Sequence, residues 1–134
     1  MSSAALDTSV VMRLLSGIPA AQAKTALAAV TDRIESGAGV FVSDLVVAEV
    51  YFALQHHYKV PKDKALDLLR SFLSEDGITC TGAAAEVLKT PRLSNAKPGF
   101  VDRLIYAEGI GVAEEFLTFE LATARLPHVT VLKS

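Results

Sequence analysis

Residues 40–55 read VFVSDLVVAEVYFALQ, and this stretch joins the end of a strand to the start of a helix. The β-branched and aromatic run at 40–42 is typical of a buried strand, and Ser43 belongs to the residue types that cap the beginning of a helix. The residues that follow, 44–55, form a helical segment that is apolar on nearly every side. A strand that leads directly into a helix is the repeating unit of a parallel α/β sheet, so this stretch predicts the fold class.

The rest of the chain repeats the same alternation of strands and helices. Short strands are predicted near the N-terminus (ALD), at ITC and, towards the C-terminus, at EEFLTF and VTVL. Glycine or proline marks the ends of the helical segments between them, at Gly17, Pro19, Gly37, Pro61 and Gly77. The sequence therefore predicts a single domain over residues 1–134, a three-layer α/β/α fold with a central, mainly parallel sheet. In such sheets, ligands bind beyond the carboxyl ends of the strands.

The composition narrows the class of protein. With 51% hydrophobic residues and no apolar run long enough to cross a bilayer, the chain is expected to be globular and not membrane-bound. The first residues lack the basic and apolar regions of a signal peptide, and the single Cys80 cannot form an internal disulfide, so a cytoplasmic location is expected. The net charge of -2 neither favours nor excludes a nucleic-acid partner.

Glu49 is the one interior charge of the helix within residues 44–55. Its helix face is shared with Leu45, Val46, Phe52 and Ala53, so the pattern predicts a carboxylate buried among apolar side chains. Burial of an unpaired carboxylate is strongly unfavourable unless it becomes neutral, meets a cation or binds a metal. Glu49 is therefore a candidate metal ligand.

Two aspartates also lie where a helix is predicted to begin. Asp7 interrupts the apolar run at 4–11, and Asp102 shares a helix face with Ile105 and Tyr106. Each has a structural alternative, because an aspartate in this position caps the helix or interacts favourably with its dipole. Carboxylates that converge at one sheet edge repel each other, and a divalent cation offsets that repulsion. Carboxylate ligands favour Mg²⁺ or Mn²⁺, and the lack of a histidine or cysteine cluster at ligand spacing disfavours zinc.

Four segments in order resemble the PIN-domain nucleases, and within that family the VapC-type toxins of bacterial toxin–antitoxin pairs. The segments are ALDTSVVMRLL, SDLVVAEVYFAL, KPGFVDRLIYAEG and FLTFELATARL, and together they cover almost the whole chain. The resemblance implies that Asp7, Glu49 and Asp102 are catalytic and hold the cation, with Glu120 in the place of the aspartate common in the family. A solvated glutamate at the end of a strand is the alternative for Glu120.

The resemblance also implies an activity and a set of partners. The activity is that of a Mg²⁺- or Mn²⁺-dependent endoribonuclease, in which metal-activated water attacks an RNA phosphodiester. The partners are RNA, a small cognate antitoxin and a second copy in a homodimer. The residues expected to contact RNA are Thr8, Ser9, Asn95, Lys97 and Arg103.

Two other functions are compatible with the sequence, and a third fits it poorly. A PIN-fold nuclease that processes RNA without a toxin role would carry the same carboxylates. A non-catalytic PIN-fold module that binds protein is favoured by Glu120, because the family commonly has aspartate there. A phosphoacceptor or an aspartyl phosphatase fits poorly, because no second aspartate lies two positions after Asp7.

Overall fold

The computed structural model describes residues 1–133, in which strands and helices alternate along most of the chain. The strands are β1 (Ala4–Ala5), β2 (Val40–Val42), β3 (Ile78–Cys80), β4 (Phe116–Thr118) and β5 (Val129–Val131). The α-helices are α1 (Thr8–Ser16), α2 (Ala20–Glu35), α3 (Asp44–His56), α4 (Lys62–Leu73), α5 (Ala84–Val87) and α6 (Phe100–Ile110). Two short 3-10 helices span Leu93–Asn95 and Leu121–Arg125.

Every strand pair among the described residues is parallel, but the strands lie in two sheets. β1, β2 and β3 form one sheet in that order, while β4 and β5 pair with each other in a second sheet. A parallel sheet flanked by helices confirms the predicted α/β class. The separation of the last two strands from the larger sheet is a feature that the sequence pattern does not indicate.

The hydrophobic core lies around the central strand of the larger sheet. Val40 and Val42 of β2 are almost completely buried, and α4 buries Leu66 and Leu69 on the face that its helical spacing predicts. The start of α6 joins this core through Phe100, which is also buried. No helix within residues 1–133 combines the length and the apolar character needed to span a membrane.

The ends of the first and third helices follow from local backbone chemistry. Gly17 ends α1 in the left-handed conformation, with φ at 71°, and donates its N–H to the Arg13 carbonyl at 2.9 Å. At the start of α3, the Ser43 hydroxyl accepts a hydrogen bond from the Val46 N–H at 3.3 Å. Both ends confirm the sequence prediction, and the Ser43 cap fixes the point at which β2 leads into α3.

The two-stranded sheet and the loop within it, residues 116–131, are called the β4–β5 unit below. This unit packs on α6, where the ring of Phe116 meets the ring of Tyr106 edge-on with 5.4 Å between centroids. The Tyr106 hydroxyl also donates to the Pro127 carbonyl at 2.6 Å. The unit is therefore held on its own chain by both an aromatic contact and a hydrogen bond.

Candidate functional site

Asp7 lies directly beyond β1 and caps the N-terminus of α1, which begins at Thr8. Its Oδ2 accepts hydrogen bonds from the Ser9 hydroxyl at 2.7 Å and from the Ser9 backbone N–H at 3.4 Å. These bonds, and first of all the one from the hydroxyl, hold the pKa of Asp7 below its ordinary value. The carboxylate is also solvent-exposed, so the capping role leaves it accessible to a ligand.

Glu49 is exposed, which corrects the prediction that it is buried. Its neighbours on the same helix face, Leu45 and Phe52, are 77% and 45% exposed, whereas Val47 and Val50 on the opposite side are buried. The helix is apolar on nearly every side, but the sheet and the other helices cover only one of those sides. Burial therefore gives no argument for a metal at Glu49. The exposed carboxylate is instead accessible to a ligand from solvent.

Asp102 and Glu120 are exposed as well. Asp102 lies in the first turn of α6. On the apolar face predicted around it, Ile105 is 55% exposed, whereas Tyr106 is half-buried and packs against Phe116, so only part of that face is exposed to solvent. Glu120 follows β4 by two residues, and its backbone N–H donates to the Thr118 hydroxyl at 3.0 Å. All four predicted ligands thus have surface carboxylates.

The four carboxylates are not gathered into a metal site within one copy of the chain. Among residues 1–133, no group of three or more His, Cys, Asp or Glu side chains is placed to hold a metal ion. Their oxygen atoms are the donors that Mg²⁺ and Mn²⁺ prefer, so the donor chemistry suits the ion but the arrangement does not. One cause lies in the sheet topology, because β4 leads to Glu120 and is not paired with β1, which leads to Asp7.

Asp44 is a carboxylate that the sequence pattern does not single out. It accepts backbone N–H bonds from Ala83 at 2.8 Å and from Ala84 at 2.9 Å, and a bond from the Cys80 thiol at 3.4 Å. A Cβ atom at Gly82 would overlap with this carboxylate, so the loop before α5 approaches it closely. Asp44 therefore has a structural role, in which it fastens the start of α3 to the loop between β3 and α5.

A family model for the PIN domain matches residues 4–127, which is most of the chain and includes all four predicted ligands. The chain belongs to the PIN-domain family. Searches of curated proteins and of solved structures gave no match. PIN domains are generally nucleases that use divalent metals such as Mg²⁺, so membership supports a hydrolase that acts on nucleic acid.

The residues predicted to contact nucleic acid in this PIN domain differ in solvent exposure and in the hydrogen bonds that they already make. Arg103 is half-buried, and its Nε donates to the Pro98 carbonyl at 2.7 Å, so it fastens the loop before α6. Asn95 and Lys97 on that loop are exposed, and the Lys97 carbonyl accepts a hydrogen bond from Arg125 at 3.4 Å. Asn95 and Lys97 therefore have side chains accessible to a phosphate or a base, whereas Arg103 is already engaged.

The two hydroxyl residues after the first strand of the PIN domain, Thr8 and Ser9, differ in exposure. Thr8 is half-buried in the first turn of α1, and Ser9 is exposed with its hydroxyl bound to Asp7. The hydrogen bond gives Ser9 a role in orienting the carboxylate. Its contact with substrate stays a prediction.

Proposed function

We propose that this PIN-domain protein is a divalent-metal-dependent endoribonuclease in which Asp7, Glu49, Asp102 and Glu120 are the ligands of Mg²⁺ or Mn²⁺. The observation that carries the proposal is the family match over residues 4–127, which contains four carboxylates that all lie on the surface. A divalent ion, when bound, supplies water activation and neutralises charge on the phosphoryl oxygens.

Exposed carboxylates on an open surface suit a single-stranded or looped RNA substrate. The bases of such RNA are unstacked, so its backbone and base edges are accessible to side chains on the protein surface. With a net charge of -2, the protein has no overall attraction for phosphate, so local cations must hold the backbone. Lys97, on the exposed loop before Asp102, is the residue we propose for this contact.

A cleavage assay with matched aspartate variants tests the proposed activity. Purified protein is incubated with total RNA in Mg²⁺ or Mn²⁺, and the ends of the products are mapped. We expect cleavage to be abolished in Asp7→Asn and in Asp102→Asn while circular dichroism shows that both remain folded. Asp63→Asn is the control, because Asp63 is also an exposed aspartate in the first turn of a helix. Full activity in both site variants would refute the metal-ligand assignment.

We further propose that the nuclease is the toxin of a toxin–antitoxin pair, cytoplasmic and homodimeric, with a small antitoxin as its cognate partner. The support is the order of the four segments that resemble VapC-type toxins. Induced expression is expected to arrest growth, and co-expression of a small neighbouring gene is expected to relieve the arrest. Harmless expression of an active nuclease would instead favour an RNA-processing role.

A further inference from the structure

An open groove of about 690 Å³ lies between α1, α2 and the first strand. From α1 it is lined by Ser9 and Arg13, which are one helical turn apart. Helical spacing also places four of its lining residues along one stripe of α2: Gln22, Ala26, Ala29 and Arg33. The groove thus follows the length of the two helices, and it has an arginine on each of them.

The charges that line this groove are positive. Within the described part of the chain, no aspartate or glutamate is among its lining residues. Arg13 and Arg33 are both half-buried, and neither forms a salt bridge within residues 1–133. A half-buried charge has lost part of its hydration, so an anion that enters the groove is favoured next to either arginine.

Arg33 has a hydrogen-bond donor that the chain itself does not use. Its Nη1 donates to the Ala29 carbonyl at 2.9 Å, one turn earlier in α2. Its Nε is buried and, among residues 1–133, has no hydrogen-bond acceptor. Buried N–H groups are nearly always paired, and the planar fork of an arginine suits the oxygens of a phosphate or a carboxylate. Arg33 is therefore a donor for an anionic ligand of the groove.

Arg13 is held in the groove by a contact between the two helices. Its Nε donates to the Gln22 side chain at 2.6 Å, so the start of α2 orients the guanidinium of α1. An arginine has several more N–H donors than this bond uses. Arg13 can therefore bind an anion and keep its contact with Gln22.

The two guanidinium groups are too far apart to bind the same small anion. Arg13 bonds to Gln22 and Arg33 bonds to Ala29. These two positions of α2 are about 10 Å apart along the helix axis. A ligand that pairs with both arginines must therefore carry negative charges at separate positions. The phosphates of a nucleic-acid strand are such charges, because they repeat along one continuous backbone.

The groove also reaches the candidate site. Ser9 lines the groove and donates its hydroxyl to the Asp7 carboxylate at 2.7 Å. An RNA strand that passes Asp7 can therefore continue into the groove along the same surface. An acidic peptide would meet the same two arginines, but the connection through Ser9 to Asp7 favours the strand that the proposed nuclease cleaves.

We propose that this groove binds the single-stranded RNA on one side of the scissile bond, with one phosphate at Arg13 and another at Arg33. The apolar walls between the arginines then contact the unstacked bases and sugars of that segment. The inference rests on the proposed nuclease function, because that function identifies the strand as RNA. Both arginines are assigned to substrate binding, and neither is assigned to the cleavage step.

Binding in the absence of metal tests the groove independently of cleavage. The fluorescence anisotropy of a labelled oligouridine is measured in EDTA over a series of salt concentrations, with the wild type, Arg13→Gln, Arg33→Gln and the double variant. Each phosphate contact to a single strand contributes about 0.7 to the slope of log K against log salt. We expect each single variant to reduce the slope by about 0.7 and to raise Kd about fivefold in about 0.1 M salt. The double variant should lose about twice as much of the slope.

Lys24→Gln is the matched control for these variants. Lys24 lies on the same helix and is exposed, but it does not line the groove. Because Lys24→Gln removes the same charge from outside the groove, its slope and its Kd should stay close to those of the wild type. Circular dichroism checks that every variant remains folded, since Arg13→Gln also removes the donor to Gln22.

An added negative charge provides a second test that leaves both arginines in place. Thr25 lines the groove and is exposed, so Thr25→Glu should repel the strand and raise Kd. Leu27 is 59% exposed and does not line the groove, so Leu27→Glu adds the same charge outside it and should have a smaller effect on Kd. Salt screens such a charge beyond about 10 Å at 0.1 M. Equal effects of the two substitutions would contradict the proposal.

The outcomes separate this proposal from the nuclease function. Unchanged slopes in both arginine variants would overturn the RNA path and leave an acidic peptide as the class of ligand for the groove. A wild type that does not bind oligouridine would overturn it as well. If the wild type shows the expected binding but cleaves no RNA, the nuclease function fails and the groove stands. If it cleaves RNA and both arginine variants keep the wild-type slope and KM, the nuclease stands and the groove assignment is wrong.

Discussion

Replacement of Asp44 by alanine should destabilise the fold without any direct effect on the candidate site. The side chain accepts two backbone N–H bonds, from Ala83 at 2.8 Å and from Ala84 at 2.9 Å. A hydrogen bond to a charged group contributes roughly 1.5–3 kcal/mol. Because Asp44 is only half-buried and water replaces part of the lost bonding, we expect Asp44→Ala to lower the free energy of unfolding by about 2–3 kcal/mol in total.

Urea unfolding followed by circular dichroism measures this loss. The midpoint should fall while the slope stays the same, because the surface exposed on unfolding is unchanged. Asp63→Ala is the matched control, since Asp63 occupies the first turn of α4 and is exposed. The decrease in the free energy of unfolding in Asp63→Ala should stay below about 1 kcal/mol, the size of a surface interaction with the helix dipole. Equal losses in the two variants would refute the structural role of Asp44.

Three further substitutions have defined outcomes. Ser9→Ala removes the hydroxyl donor and should raise the pKa of Asp7 in an NMR titration. In the wild type, the stabilisation from the lowered pKa is present above the pKa of Asp7 in the unfolded chain and is lost as the pH falls through its pKa in the folded chain. In Ser9→Ala this loss should therefore occur at a higher pH. An unchanged pKa would contradict this. Gly82→Ala should lower the free energy of unfolding, measured in urea, by roughly 1–3 kcal/mol because its Cβ would overlap with the Asp44 carboxylate. An unchanged free energy would show that this close approach does not constrain the loop. Tyr106→Phe removes the hydrogen bond to the Pro127 carbonyl, so it should lower the free energy of unfolding by about 0.5–1.5 kcal/mol and speed amide hydrogen exchange in the β4–β5 unit. Unchanged exchange would show that the Tyr106 hydroxyl does not stabilise this unit.

The helices and their ends are the part of the fold that the sequence predicts well. Their signals are local, since a cap such as Ser43 or a left-handed glycine such as Gly17 acts within one turn of its own helix. The buried face of α4 was also predictable, because Leu66 and Leu69 repeat at helical spacing and the opposite face is charged.

The exposure of Glu49 was not predictable in the same way. Helical spacing shows that Glu49 shares a face with Leu45 and Phe52, but it does not show whether another element covers that face. Coverage depends on contacts between segments far apart in the chain, and in this fold those contacts bury Val47, Val50, Tyr51 and Leu54 but not the face of Glu49. The separation of β4 and β5 from the larger sheet is a non-local property of the same kind.

The acidic residues of the candidate site differ from the structural Asp44 in how their oxygen atoms are used. Asp44 accepts backbone bonds on both oxygens, so a metal would have to displace bonds that the fold needs. Asp7 accepts both bonds from Ser9 on one oxygen, Oδ2, and the residue is exposed to solvent. The cap is therefore compatible with the proposed metal binding at Asp7, because a carboxylate has acceptor sites on both of its oxygens. Capping of α1 is observed at Asp7, whereas metal binding is part of the proposed function. Asp7→Asn keeps an acceptor oxygen for the cap, so the proposal expects this variant to lose metal binding and cleavage while the helix stays folded.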